Sequence, residues 1–357
     1  MSSSETPPAP VTRRLTRAVG FCLVGVGLAF LLDGALLRGL RRIENGDFGV
    51  WNKLVAGQIN AQILVVGGSR ALVDVDCELM ARDLGRSCFD IGLDGSVHNL
   101  QRPYLATYLA HNRPPELALI SADIASLENA TRPYRPKQYV PYLAEEPLFT
   151  NLATLEPTTW RERYVPLYAF AHHGLDLTKS AIGGLRSRTD AAAEPRILGQ
   201  LRVETDWDGA FDNFMREVGA TGKVFPVQRA ALDVVADMVR MLRSRGSRVV
   251  VFYSPEWKGM HRYELNRAQV ISGYRETAIA NGATFLDYTA HPLADDRKYF
   301  YNSQHMNRRG AEIFTRTLTR DLAGLASAAP GGQSPAAASS ASADAPESGS
   351  VISNRAP

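Results

Sequence analysis

The stretch QILVVGGSR, residues 62–70, decides the fold: an apolar run of strand length, two glycines, then a serine where a helix begins. The same unit recurs along the chain. Brief β-rich runs bounded by turn residues lie at Gln62–Val66, Ser87–Leu93, Leu117–Ser121, Arg248–Tyr253 and Ala283–Asp287. Helical stretches separate them at Asn99–His111, Val227–Arg245, where apolar residues recur three and four apart, Arg262–Asn281 and Asn307–Leu325. Short apolar strands alternating with amphipathic helices predict an α/β fold. The expected form is a three-layer α/β/α sandwich around a mostly parallel five-stranded sheet, covered on both faces. Such sheets carry their sites at the carboxyl ends of the strands, so the residues just after each run are the candidates for chemistry.

Toward the N-terminus the pattern changes. Arg13, Arg14 and Arg17 precede an unbroken apolar run from Ala18 to Leu32, which Gly34 to Leu37 continue past Asp33. This length suits a bilayer crossing, and residues 18–37 are expected to be an uncleaved transmembrane signal anchor behind a cytoplasmic tail, residues 1–17. A cleaved signal peptide and a buried core helix are the alternatives, but no small-x-small cleavage site is evident. Arg38, Arg41 and Arg42 follow the span and nearly balance the arginines before it, so charge alone does not orient the anchor. The short leading tail places the main domain outside, on the periplasmic side of a bacterial inner membrane.

Residues 43–60 read as a polar, amphipathic connector, and 43–325 as one domain. An insertion at 129–225, rich in proline, aromatics and isolated arginines, interrupts it and is expected to form a lid or ligand-facing subdomain. From 326 to 357 the chain is Ala, Ser, Pro and Gly, a composition that predicts disorder.

Composition narrows the function classes. Net charge is only +3 and no Lys/Arg run is interleaved with aromatics, so no nucleic-acid partner is expected. Three cysteines make neither a disulfide scaffold nor a zinc module. Cys77 and Cys88 read as two small buried thiols, pairing in an oxidising compartment being the alternative. His172-His173 lacks a third ligand at helical or loop spacing and reads as a solvated loop pair, so no metal and no cofactor is expected.

Two loops stand out. In Gly67-Gly68-Ser69-Arg70 the glycines permit a sharp turn, and a hydroxyl at the mouth of the following helix sits where amide groups can stabilise an oxyanion. Serine at such a turn is also an ordinary helix cap. In Tyr301–Asn307, His305 precedes the last helix on the last loop of the sheet, from which it can reach back to Ser69, 236 positions away, as general base. Asp94, His98 and Asn99 follow the second strand at the same rim. Ser254-Pro255-Glu256-Trp257 follows the fourth and offers an aromatic wall or a core cover.

GGSRA (67–71), DIGLDGS (90–96) and FYNSQHMNRRGAEIF (300–314) resemble blocks of the SGNH (GDSL-like) hydrolase superfamily. The likeness is greatest to its membrane-anchored bacterial members, including the proteins of alginate O-acetylation and the D-alanine transfer protein of teichoic-acid modification. It covers roughly residues 60–125 and 225–325. The resemblance implies an SGNH, flavodoxin-like sheet, Ser69 as nucleophile, His305 as base and Gly92 or Gly95 as an oxyanion amide. His98, on the rim after the second strand, and Arg70, next to Ser69, are further candidates for substrate-facing roles.

Two positions depart from the family. Asn302 stands where D-x-x-H has its carboxylate, and Asp295 or Asp296 upstream is the candidate replacement. Asp123, in Ser121-Ala122-Asp123-Ile124, stands where the family has an oxyanion asparagine; Asn129 is the candidate replacement. The implied partners are a cell-surface glycan or acyl-ester substrate, the membrane, and a membrane-bound acyltransferase. A non-catalytic relative that binds glycan or assembles an envelope complex is the alternative.

Overall fold

The computed structural model describes residues 11–327 of the 357. In chain order the elements are α1 (Val11–Leu40), α2 (Gly46–Val55), β1 (Ile63–Val66), α3 (Ser69–Asp74), α4 (Cys77–Leu84), β2 (Cys88–Asp90), α5 (His98–His111) and β3 (Leu117–Ala122). There follow α6 (Glu146–Leu155), α7 (Thr159–Tyr164), α8 (Tyr168–Ser187), β4 (Arg196–Ile197), β5 (Gln200–Leu201) and α9 (Ala210–Val218). The last are α10 (Arg229–Arg243), β6 (Arg248–Tyr253), α11 (Lys258–His261), α12 (Arg267–Ala280), β7 (Thr284–Asp287) and α13 (Arg308–Ser327).

The five expected strands form one sheet, ordered β2-β1-β3-β6-β7, with every pairing parallel. Because side chains alternate faces along a strand, each strand feeds two cores. Leu64, Val66, Ala118, Ile120, Val249 and Val251 face one cluster with α5, α10 and α12. Ile63, Val65, Leu117, Leu119, Val250 and Phe252 face the other with α4 and α13. This is the predicted three-layer sandwich. β1 lies between β2 and β3, so the chain leaves it toward opposite edges, and the crevice above its carboxyl end is the topological switch point.

Several readings need correction. The stretch 43–60 is not merely a connector: α2 buries Phe48, Trp51 and Leu54, and the Trp51 ring stacks on Tyr142 at 4.9 Å. One helix expected over Arg262–Asn281 is α12 alone, preceded by the short α11. Cys77 and Cys88 are not free thiols; they form a disulfide between the start of α4 and the start of β2.

The stretch 129–225 holds α6–α9 and the small antiparallel β4-β5 pair. Leu148, Leu152, Leu177 and Ala181 from it are buried in the α5-side core.

Leu15–Leu40 of α1, with mean hydropathy 2.1, is the one helix among the described residues long and apolar enough to cross a membrane. Its large apolar residues from Leu15 to Leu32 are exposed, which removes the core-helix alternative, whereas Leu36 and Leu40 join the domain core. Gly39 and Gly184 make the α1–α8 crossing close, since a Cβ on either would strike the other helix's backbone. Residues 11–17, expected in the leading tail, already belong to α1. Residues 1–10 and, of the tail at 326–357, everything from 328 on lie outside the described residues.

Candidate active site

Ser69 opens α3 at the carboxyl end of β1, and its hydroxyl caps nothing. Instead Ser69 Oγ lies 2.7 Å from His305 Nε2. Neither Gly67 nor Gly68 needs a positive φ, so the glycines serve close approach rather than a left-handed turn. A Cβ on Gly67 would sit 2.8 Å from the Cβ atoms of Ala71 and Ser121, and one on Gly68 2.8 Å from the Ser96 carbonyl oxygen. Backbone packing that tight fixes the hydroxyl against the 93–96 loop, where Leu93 N donates to Gly67 O at 3.0 Å.

The histidine loop is a tight reversal. Tyr301 N donates to His305 O at 3.1 Å, and Asn302 Oδ1 accepts from the amides of Gln304 (3.1 Å) and His305 (3.0 Å). Those amides fix which end of the Asn302 side chain is the carbonyl. The same oxygen lies 2.8 Å from His305 Nδ1, and since it can only accept, Nδ1 carries the hydrogen. Nε2 is thereby left with its lone pair toward Ser69, the tautomer a general base requires. The Tyr301 ring stacks on the imidazole at 5.4 Å. Burial, then the positive charge of Arg70, lowers the His305 pKa to about 4, against the pull of Asp94, Glu256 and Asp208.

Beneath this pair lies a buried charged network. Arg70 and Asp74, one turn apart on α3, are fully buried. Asp74 accepts from the Met306 amide at 3.0 Å and from Ser254 Oγ at 2.6 Å, tying the Ser69 helix to the histidine loop and to the end of β6. Arg70 donates to Glu256 at 2.7 Å and to Ser254, and Glu256 in turn pairs with Arg267. Burial pushes the Asp74 carboxyl up to about 7, against the opposing pull of Arg70. Arg70 is therefore a structural cation behind the site, which corrects its expected substrate-facing role.

His98 needs the same correction. It is fully buried between Gln101 Oε1 (2.9 Å) and the Tyr274 hydroxyl (2.7 Å), and burial lowers its pKa to about 4. The Gly92 amide donates to Asp90 Oδ1 at 2.6 Å, so it is already committed. The Gly95 amide, on the loop packed against Gly68, has no hydrogen-bond partner among the described residues.

Asp123 turns into its own loop, with Oδ1 accepting from Ala125 N at 2.8 Å. Burial raises its pKa, against the pull of Arg70. Asn129 is held through its amide by Gln228 at 3.1 Å. Asp94 pairs with Arg135 at 3.4 Å.

Among the described residues, no carboxylate touches the imidazole. Asp295 pairs with Lys258 and Asp296 with Lys298, so neither replaces the missing aspartate. The carboxylate that does approach is Asp208, from the insertion: its Oδ2 accepts from Asn302 Nδ2 at 3.3 Å, and its amide donates to Tyr301 O at 2.7 Å. Next to it Trp207 meets Trp257 at 5.4 Å, and Phe211 meets Trp257 at 5.0 Å, giving an aromatic wall beside the histidine loop. A cleft of about 740 Å³ between α2 and α8 is lined by residues such as Asp47, Arg135, Lys179 and Arg196 and includes neither Ser69 nor His305.

No family model and no curated protein matches the chain. Among solved structures it is similar to a GDSL-like lipase from Bacteroides thetaiotaomicron, at 12% identity and a TM-score of 0.30 over 73% of this chain and 88% of that one. It is also similar to an aryl esterase from M. smegmatis, at 14% identity and a TM-score of 0.31 over 74% and 98%. At such values the reading of the site rests on the chain's own geometry.

Proposed function

We propose that the chain is a membrane-anchored, extracytoplasmic serine esterase or O-acyltransferase of the SGNH type, acting on acyl esters of a cell-surface polysaccharide. The observation that carries this reading is the 2.7 Å approach of Ser69 Oγ to a His305 Nε2 whose tautomer Asn302 dictates. Both residues are partly exposed at the carboxyl rim of a parallel sheet, where substrate has access.

In this mechanism Ser69 Oγ attacks the ester carbonyl while His305 Nε2 takes its proton. The Gly95 amide and the leading amides of α3 receive the developing oxyanion. His305 then returns the proton to the leaving alkoxide, and water or a sugar hydroxyl, activated by the same base, releases the acyl group. Asn302 supplies a dipole, not a charge, to the imidazolium. The cost of that exchange in a serine protease is about 10⁴ in turnover, so slow chemistry is expected here. The trp-rich wall of Trp207, Phe211 and Trp257 suits a sugar or acyl face.

The Cys77–Cys88 disulfide supports an oxidising compartment, and therefore a domain outside the cytoplasm. The exposed apolar length of α1 supports the anchor. The test is hydrolysis of p-nitrophenyl acetate by the full chain in detergent. Turnover above background that Ser69→Ala abolishes is expected. The amide at position 302 favours a second reading, a glycan-binding protein without turnover, and wild-type activity no greater than that of Ser69→Ala would select it.

A further inference from the structure

His172 and His173 were expected in a solvated loop without a third ligand, yet both lie in α8, and Glu162 of α7 is folded against them. The chain reverses between the two helices at Leu167, whose amide donates to Asp33 Oδ1 of α1 at 2.8 Å, so the cluster stands where the anchor joins the domain. Glu162 Oε1 is 2.9 Å from His173 Nε2 and 3.9 Å from His172 Nε2.

The Glu162 side chain is only 6% exposed and that of His173 only 9%. Burying a carboxylate is costly unless it is paired and hydrogen-bonded. The adjacent arginines do not pair with it: Arg163 binds Glu146, and Arg161 lies over the rings of Trp160 and Tyr168. His173 Nε2 is buried and has no hydrogen-bond partner, although the Glu162 oxygen is 2.9 Å away, because the two groups are not aligned for one. Donor atoms that are adjacent but aim past each other are what a shared cation produces, since each lone pair then points at the ion.

We propose that Glu162, His172 and His173 bind one divalent transition-metal ion, Zn²⁺ foremost. Bonds of about 2.0–2.2 Å from each donor require donor separations of roughly 3–4 Å, the range seen around Glu162 Oε1. Two imidazoles with one carboxylate suit zinc and exclude magnesium or calcium, which take oxygen donors. His172, 42% exposed, forms the solvent side, leaving a fourth position open. The ion pins α7 to α8 beside the anchor, and this site is independent of Ser69 and His305.

The full chain, purified in detergent without a polyhistidine tag and stripped with EDTA, is titrated with ZnCl₂ by isothermal calorimetry, with MgCl₂ as comparator. One Zn²⁺ per chain at ~1 µM or tighter is expected, with no Mg²⁺ uptake. Glu162→Gln and His172→Ala should each weaken binding at least ~10-fold. His172→Ala alters only an exposed side chain, so circular dichroism should remain that of the wild type. No saturable Zn²⁺ uptake, or His172→Ala binding as tightly as the wild type, overturns the site.

Discussion

Asn302 gathers three hydrogens on one oxygen, two from backbone amides and one from the His305 ring, while its amide nitrogen faces Asp208. The imidazolium of the proposed mechanism therefore meets a dipole at 2.8 Å, with the Asp208 carboxyl behind it. Asn302→Asp is expected to raise turnover by roughly 10²-fold, part of the ~10⁴ that the reverse change costs a serine protease. The sign of the accompanying pH effect follows from the base. His305 works when neutral, and with its pKa lowered to about 4 the rise of activity with pH should be complete by about pH 5. A carboxylate at 302 stabilises the imidazolium, so in Asn302→Asp that rise moves to higher pH; kcat measured from pH 4 to 8 checks both effects. Asp208→Asn, which removes the charge behind the amide, should lower kcat by about 10-fold and leave KM nearly unchanged. Much of this site was legible in the sequence. The places of Ser69 after the first strand and of His305 before the last helix could be read from the sequence, while Asn302 was singled out only through the D-x-x-H pattern of the family the chain resembles. Asp208 was not legible, because it arrives from the insertion, 94 positions from its partner, with no motif around it. Arg70 and His98 were misread because residue type does not reveal that a side chain points inward, and Gly92 because its neighbour Asp90 claims its amide.

At the scale of elements, β1 and β3 were readable because they are buried on both faces and therefore almost wholly apolar, whereas the edge strand β7 is only partly buried. α2 was not: Gly46 and Gly49 weaken its helical signal, and only packing on Tyr104 and Tyr142 shows why Trp51 belongs inside. The helix expected over 262–281 is α12, and it starts only at Arg267 because Asn266, just before it, holds Phe225 through both backbone groups. The α4–β2 disulfide closes a loop with a sequence separation of 11, and neither cysteine's pairing could be read from that spacing. Cross-linking a loop of this size stabilises by about 3 kcal/mol. Cys77→Ser with Cys88→Ser should therefore unfold at a clearly lower temperature than the wild type, and dithiothreitol should lower the wild-type melting point while leaving the double variant's unchanged. Equal melting points for the two proteins under oxidising conditions would contradict the account.

Over the whole molecule, buried titrating groups make stability depend on pH. His98 has a folded pKa of about 4 against 6.5 in the unfolded chain, so between those values the unfolded state holds more protons. Its contribution is fully present above pH 6.5 and is lost as pH falls toward 4, about 2 kcal/mol of it between pH 6.5 and 5. Asp74 and Asp90, raised to about 7 by burial, act in the opposite sense over pH 4 to 7. The difference between proteins isolates the histidine: in urea unfolding, His98→Gln should lose less stability than the wild type on going from pH 6.5 to 5. The central claim concerns how the sheet brings together two residues 236 positions apart, and covalent trapping tests it most directly. The full chain is treated with a fluorophosphonate and its peptides are mapped by mass spectrometry. A single adduct on Ser69 is predicted, absent from Ser69→Ala, strongly reduced in His305→Ala and increased in Asn302→Asp. No adduct on Ser69 in either the wild type or Asn302→Asp would contradict it.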